Sequence, residues 1–521
     1  MLEMDAQKLT DLLRATIEPN PEQRKAAEDQ LAQIHKIIGF VPTILQIVMQ
    51  SNVDQPVRQA GAIYLKNLIT NSWSDHESKA GEPIPFSIHE QDRAMIRGLI
   101  VDAIVHAPDI IKVQLAVCVN HIIRSDFPGR WPQVVDNISI YLQNPDVNGW
   151  NGALLTMYQL VKTYEYKRSE ERVPLHEAMN LLLPMIYQLM VNLMNDQSEQ
   201  SMLLQKQILK IYYALTQYTL PLDLITKETF SLWMEICRQI AERPIPDCSH
   251  IDDEEKPEFP WWKVKKWALH IIVRMFERYG SPRNVVSEKY QKFAEWYLPT
   301  FTSGILEVLL KILDQYRNHI YVSPRVLTDI LAYLKNAVSH SYSWKLIKPH
   351  MVAIVQDVIF PIMSFTDADQ ELWETDPHEY LRLRLSKKKP HNKTRNKALS
   401  RINVGSATTG KVLKNAGVLP HVEKAWYMSM GAAARGYKWA DVFKLSRNAA
   451  CNIYGVLSDV VAFMPFKNSS IHSELCYLCP GEDLASHLNP QESGTEPSVT
   501  KWKRQLKYTG CNEELSYDSS I

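Results

Sequence analysis

From residue 5 to about residue 380, apolar side chains recur at intervals of three and four, while alternating stretches rich in β-branched residues are hard to find. Segments with that period must each lay one stripe against another helix, so the sequence predicts an all-α fold. Leu9, Leu12, Leu13 and Ile17 mark a first helix that stops before Pro19. Pro21 opens a second with Ala27, Leu31, Ile34 and Ile38 inward, and Gly39 is expected to end it. Val41, Ile44, Leu45 and Val48 give a third, and Pro56 starts a fourth through Val57, Ala60, Ile63, Tyr64 and Leu68. These read as antiparallel helix pairs.

The pairing continues, with second helices expected to open near Gln55, Asp109, Gly152, Ser201, Pro260 and Ser323. Successive starts lie 54, 43, 49, 59 and 63 residues apart, against about 40–47 for a HEAT repeat. Polar connections at Asn71 to Pro85 and Arg243 to Pro260 absorb the surplus. Stacking such pairs buries each apolar stripe against its neighbours, so a HEAT-repeat superhelical solenoid explains the pattern better than several compact domains.

The pattern degrades after Leu385. Lys387, Lys388, Lys389, Lys393, Arg395, Lys397 and Arg401 form a basic run with almost no apolar residue. From Ser386 onward there are 19 Lys+Arg against 11 Asp+Glu, a net of +8, leaving −8 on residues 1–385 and zero overall. That balance argues against a dedicated nucleic-acid binder. Seven cysteines, four of them after residue 450, form no disulfide framework and suit a reducing compartment. Met1 to Thr10 lacks the apolar core of a secretory signal. Met179 to Met194 is interrupted by Asn180, Pro184, Gln188 and Asn192 and reads as a buried helix, so no membrane insertion is expected.

Several strings resemble the importin-β family. VRQAGAIYLKNLI at 57–69, with AAEDQL at 26–31, looks like the amino-terminal domain of that family. WWKVKKWALHIIVRMFERYG at 261–280 and ELWETDPHEYLR at 371–382 resemble the branch containing importins seven and eight. DFPGRWPQVVD at 126–136, LVKTYEYKR at 160–168, LLQKQILKIYYAL at 203–215 and LLKILDQYR at 309–317 agree. The resemblance covers residues 1–384 and implies three segments: amino-terminal Ran-binding repeats at 1–107, further HEAT repeats at 108–384, and a divergent basic tail at 385–521, largely disordered or weakly helical. It implies a nuclear import receptor, truncated here, that moves between cytoplasm and nucleus through the nuclear pores. The implied partners are RanGTP, FG nucleoporins, basic cargo such as ribosomal proteins and histones, and importin-β itself; no enzyme activity or cofactor is implied. Periodicity and composition alone equally permit a static HEAT scaffold for a signalling complex.

On this resemblance the Ran contact falls on second helices of the first repeats, and Arg24, Glu28, Arg58, Lys66, Asn67 and Gln114 are the candidates; as single residues they could equally be ordinary solvated positions. Asp367, Asp369, Glu371, Glu374 and Asp376, with Asp252 to Glu255, form acidic loops that either meet basic partners or stand solvated. Trp261, Trp262, Trp267, Phe276 and Tyr279 are expected to pack between repeats, with one or two bordering the outer grooves that take FG side chains. Three motifs fall short of chemistry. Gly405 to Val412 reads G-x-x-x-x-G-K but has Val412 where Mg²⁺ needs a hydroxyl. Cys476 and Cys479, with His472 and His487, lack a second tight ligand pair, so no metal site is expected. No His-Glu dipeptide extends to H-E-x-x-H.

Overall fold

The computed structural model describes residues 5–75, 85–285, 287–363, 367–376 and 379, and every regular element among them is helical. The expectations for the tail, with its G-x-x-x-x-G-K and Cys/His motifs, lie outside the described residues. The main helices are α1 (Ala6–Ala15), α2 (Pro21–Ile34), α3 (Phe40–Met49), α4 (Gln55–Ser72), α5 (Glu90–His106), α6 (Asp109–Asp126), α7 (Val134–Gln143) and α8 (Val147–Thr163). They continue with α9 (Val173–Leu193), α10 (Glu199–Thr216), α11 (Lys227–Glu242), α12 (Pro260–Met275), α13 (Glu288–Arg317), α14 (Pro324–Ala337) and α15 (Ser341–Ile347). No described helix is long and apolar enough to cross a membrane.

Side-chain caps set several starts. Asp5 accepts from the amides of Gln7 and Lys8, and Asn20 from those of Glu22 and Gln23, satisfying donors that have no partner within the helix. Asp146 and Ser198 do the same for α8 and α10, which is why these open at Val147 and Glu199 and not at the expected Gly152 and Ser201. Gly39 also differs from expectation. The second helix already ends at Ile34, and Gly39, at φ 95°, stands before α3 in the left-handed region that glycine enters without strain. The Asp92 carboxylate of α5 accepts its N–H at 2.8 and 3.0 Å. Consequently Ile38, expected inward, lies in the connection and is exposed; Ile17 and Ile63, which mark the first and fourth helices in the sequence, are exposed as well.

The chain divides into two compact units, residues 1–272 and 273–521. In the first, α3, α5, α7 and α9 lie side by side in one layer and α4, α6, α8 and α10 in a second, each helix packing on its hairpin partner across the layers. Aliphatic side chains make up most of the core between them, with Ile44, Ile47, Leu65, Ile104, Leu115, Ile122, Leu160 and Ile208 fully buried. At Gly152 an added Cβ would lie 2.8 Å from Val105 Cα, so α8 and α5 approach backbone to backbone. In the second unit, a π-helical turn at Phe276–Gly280 packs on α13. Phe276 stacks on Tyr333 and Tyr297 at 4.5 and 6.0 Å between centroids. Ser281 and His340 share a buried hydrogen bond of 2.7 Å.

One polar cluster crosses the core of the first unit. Asp126 at the end of α6 is 2% exposed and takes the indole N–H of Trp73 at 3.1 Å and the Arg97 guanidinium at 2.7 Å. Arg130 adds a contact at 3.3 Å. Arg97 also pairs with Glu90, while Arg93 reaches Asp75 at 2.7 Å and holds its carboxyl below the usual range. The expected connection from Asn71 therefore starts later: α4 runs to Ser72, and Trp73 is drawn into the core.

Candidate binding surface

The second layer supplies the candidate surface. On its uncovered side α4 presents Ile63, Asn67 and Thr70, and the adjacent α6 presents Ile110, Val113 and Val117, at helical spacing. Lys66 and Gln114 stand half-buried beside them. The structure thus brings together three of the six candidates, Lys66, Asn67 and Gln114. Lys66 lies near enough to Cys118 to favour its thiolate, but burial dominates and pushes that thiol up to about 12. The surface continues onto α8 through Asn120, whose amide donates to Gln159 and Thr163, each at 3.3 Å.

The other three candidates lie elsewhere. Arg24 is tied to the chain just beyond α1, its Nη1 donating to the carbonyls of Glu18 and Pro19 at 2.9 and 2.8 Å. Glu28 is exposed on α2, which packs on α1. Arg58, expected to be exposed, is half-buried and donates Nε to the Val48 carbonyl at 2.8 Å. The last carbonyls of a helix are unsatisfied and carry partial negative charge, so a cation from the next helix is drawn to them.

The acidic residues form a helix rather than a loop. Asp367, Asp369, Glu371 and Glu374 fall within Asp367–Thr375, and the amide of Asp376 still bonds to the Leu372 carbonyl at 2.8 Å. Glu371, Glu374 and Asp376 are exposed. Asp252 to Glu255 stay in a turn, where Lys256 pairs with Asp253 at 2.5 Å. Of the five aromatic residues, Trp262, Phe276 and Tyr279 are buried, and Trp261 and Trp267 are half-buried.

Two features escaped the sequence. Met95 and Leu99 on α5, Ile140 on α7 and Leu181 on α9 are exposed on the first layer, Leu181 within the stretch that reads as a buried helix. Buried cations also close helix ends: Arg172 donates to the Leu215 carbonyl at 2.7 Å, and Lys265 to those of Ala241 and Arg243 at 2.9 and 2.7 Å. Burial first, and then the charge of Arg243, lower Lys265 to about 8. Among the described residues no group of His, Cys, Asp and Glu is placed to hold a metal ion.

Residues 27–106 match the family described as "Importin-beta N-terminal domain", and residues 173–402 match "Cse1". Residues 400–445 match a different family, "TMEM214, C-terminal, caspase 4 activator". Importin-8 of Homo sapiens is 53% identical over 384 residues, which make up 73% of this chain and 37% of that protein. The importin beta-like SAD2 homolog of Arabidopsis thaliana is 33% identical over 371 residues, 71% of this chain and 35% of that protein. The chain therefore spans little more than a third of the length of these relatives. Among solved structures, the exportin Cse1 in its cargo-free, cytoplasmic state superposes with a TM-score of 0.64 over 97% of this chain and 52% of that one, at 17% identity, a likeness of fold. The amino-terminal 73% of this chain belongs to the importin-β family, in the branch of importin-8.

Proposed function

We propose that this chain is a nuclear transport receptor that binds Ran in its GTP form on the α4/α6 surface, engages FG nucleoporins through the exposed apolar side chains of the first layer, and carries basic proteins such as ribosomal proteins and histones. It would work between cytoplasm and nucleus, passing through the pores, with importin-β as a further partner. The observation that carries this reading is the 53% identity to importin-8 over the stretch that includes the importin-β amino-terminal match at 27–106. Members of this family are transport receptors, not enzymes. Lys66, Asn67 and Gln114 support the Ran surface by standing on neighbouring helices with accessible polar ends. Met95, Leu99, Ile140 and Leu181 support the FG contact, because they leave apolar surface exposed on three neighbouring helices of one layer, where aromatic rings can bury area.

The test is capture of the purified chain on Ran loaded with a non-hydrolysable GTP analogue against Ran loaded with GDP. Selective capture on the GTP form is expected, and equal capture on both forms overturns the reading in favour of a static scaffold. Lys66→Glu combined with Asn67→Ala should weaken the GTP-form complex about tenfold without unfolding. Arg58 is unsuited to this test, because its loss would free the Val48 carbonyl and disturb α3.

A further inference from the structure

Helices α8 and α10 of the second layer, together with α12, carry a row of cations that the Ran reading does not use. Lys162 on α8, Lys206 and Lys210 on α10, and Lys263 and Lys266 on α12 are all half-buried. Lys206 and Lys210 are one turn apart on a single helix face, and neither meets a carboxylate at ion-pair distance among the described residues. Their ammonium groups are close enough to repel: Lys263 and Lys210 act on Lys206, and Lys266 and Lys162 act on Lys210. Burial first and this repulsion second lower both pKa values, with Glu258 acting in the opposite sense on Lys206. Lys162 pairs with Glu165 and Lys263 with Glu258 at 3.0 Å, so Lys206 and Lys210 are the positive charges of the row that a partner's carboxylates could meet.

Aromatic rings line the same path. Lys210 Nζ lies 4.5 Å from the ring centroid of Tyr158 on α8, and Lys266 Nζ 5.0 Å from that of Trp267. Tyr213 on α10 meets Trp267 at 5.5 Å, so rings bridge α10 and α12 as Tyr158 bridges α8 and α10.

We propose that this row of lysines and rings across α8, α10 and α12 is the docking surface for an extended acidic segment of a partner protein. Packed helices lie about 8–10 Å apart, and an extended chain advances about 3.3 Å per residue. A segment crossing the helices thus meets a new lysine about every third residue, and the residues between can lay apolar side chains on Tyr158, Tyr213 and Trp267. Bound carboxylates would form charge-assisted hydrogen bonds with Lys206 and Lys210, which have no carboxylate at ion-pair distance among the described residues. Nucleic acid is the poorer fit: residues 1–385 carry a net −8, which opposes a polyanion with a charge about every 1.7 Å of axis.

The test uses the whole chain and a fluorescent peptide of Glu-Glu-Phe repeats, followed by anisotropy, with a Gln-Gln-Phe peptide and a single-stranded oligouridylate as comparisons. The acidic peptide should bind, weaken steeply with added salt, and lose at least about tenfold in affinity on Lys206→Gln with Lys210→Gln. Removing two mutually repelling charges should leave the helical circular dichroism unchanged and the melting temperature equal or higher. Equal binding of the Gln-Gln-Phe peptide, an affinity indifferent to the double substitution, or tighter binding of the oligouridylate would each overturn the proposal. Capture by the GTP form of Ran, measured on the same variant, should persist, so failure here is distinguishable from failure of the transport reading.

Discussion

Asp126 illustrates how much one buried residue decides. Its carboxylate accepts from Trp73 and Arg97 at the junction of α4, α5 and α6, with the Arg130 guanidinium at ion-pair distance. Asp126→Ala would leave the Trp73 N–H without its acceptor and Arg97 with Glu90 as its carboxylate partner, and a loss of about 1–3 kcal/mol is expected in chemical unfolding. Lys265 offers a pH test. Its folded pKa of about 8 lies below the ordinary 10.5, so folding is favoured as pH rises: the benefit is complete above 10.5 and is lost as pH falls through 8. Relative to Lys265→Met, the native chain should therefore gain up to about 3 kcal/mol between those limits. A pH-independent difference between the two proteins would refute the assignment. Neither residue could be read from the sequence. Polarity alone does not say whether a cation faces water or a helix's last carbonyls, and the same ambiguity explains why Arg58 was expected on the surface.

At the scale of elements, the helices themselves were legible, because amphipathic period and proline placement are local properties. Boundaries drifted where a cap decided them: Asp146 moved the start of α8 five residues earlier than the apolar pattern indicated. The close approach of α8 to α5 was not legible at all. Gly152 is read in sequence as a helix start, yet in the structure it is the point where Val105 leaves no room for a Cβ. Gly152→Ala should cost about 1–3 kcal/mol and Gly152→Val more, as seen in thermal or urea unfolding. Gly98, with open space around its Cβ position, is the control: Gly98→Ala should be neutral or mildly stabilising.

At the scale of the whole molecule, function depends on surfaces spread over several helices. If Met95, Leu99, Ile140 and Leu181 form the FG contact, replacing all four with Ser should lower retention on an immobilised FG-repeat peptide several-fold. It should raise solubility and leave the melting temperature nearly unchanged, because these side chains are exposed. Unaltered retention would remove the first layer from the proposal. The two compact units, 1–272 and 273–521, give a further handle. The Ran surface and the lysine row both lie in the first, so the complete chain should show both activities independently when each surface is altered in turn.

The sequence by itself determined the helical class, the pairing of helices and the family, because each rests on periodicity and on long strings whose order survives without knowledge of contacts. Tertiary structure alone decided which polar residues meet solvent and which close a neighbouring helix. It separated Lys66, Asn67 and Gln114 from Arg24 and Arg58, turned the acidic loop into a helix, and set lysines from three helices into one row. Such groupings join residues as much as a hundred positions apart, as Lys162 and Lys266 are. Their chemistry comes from proximity and desolvation, which exist only once the chain has packed.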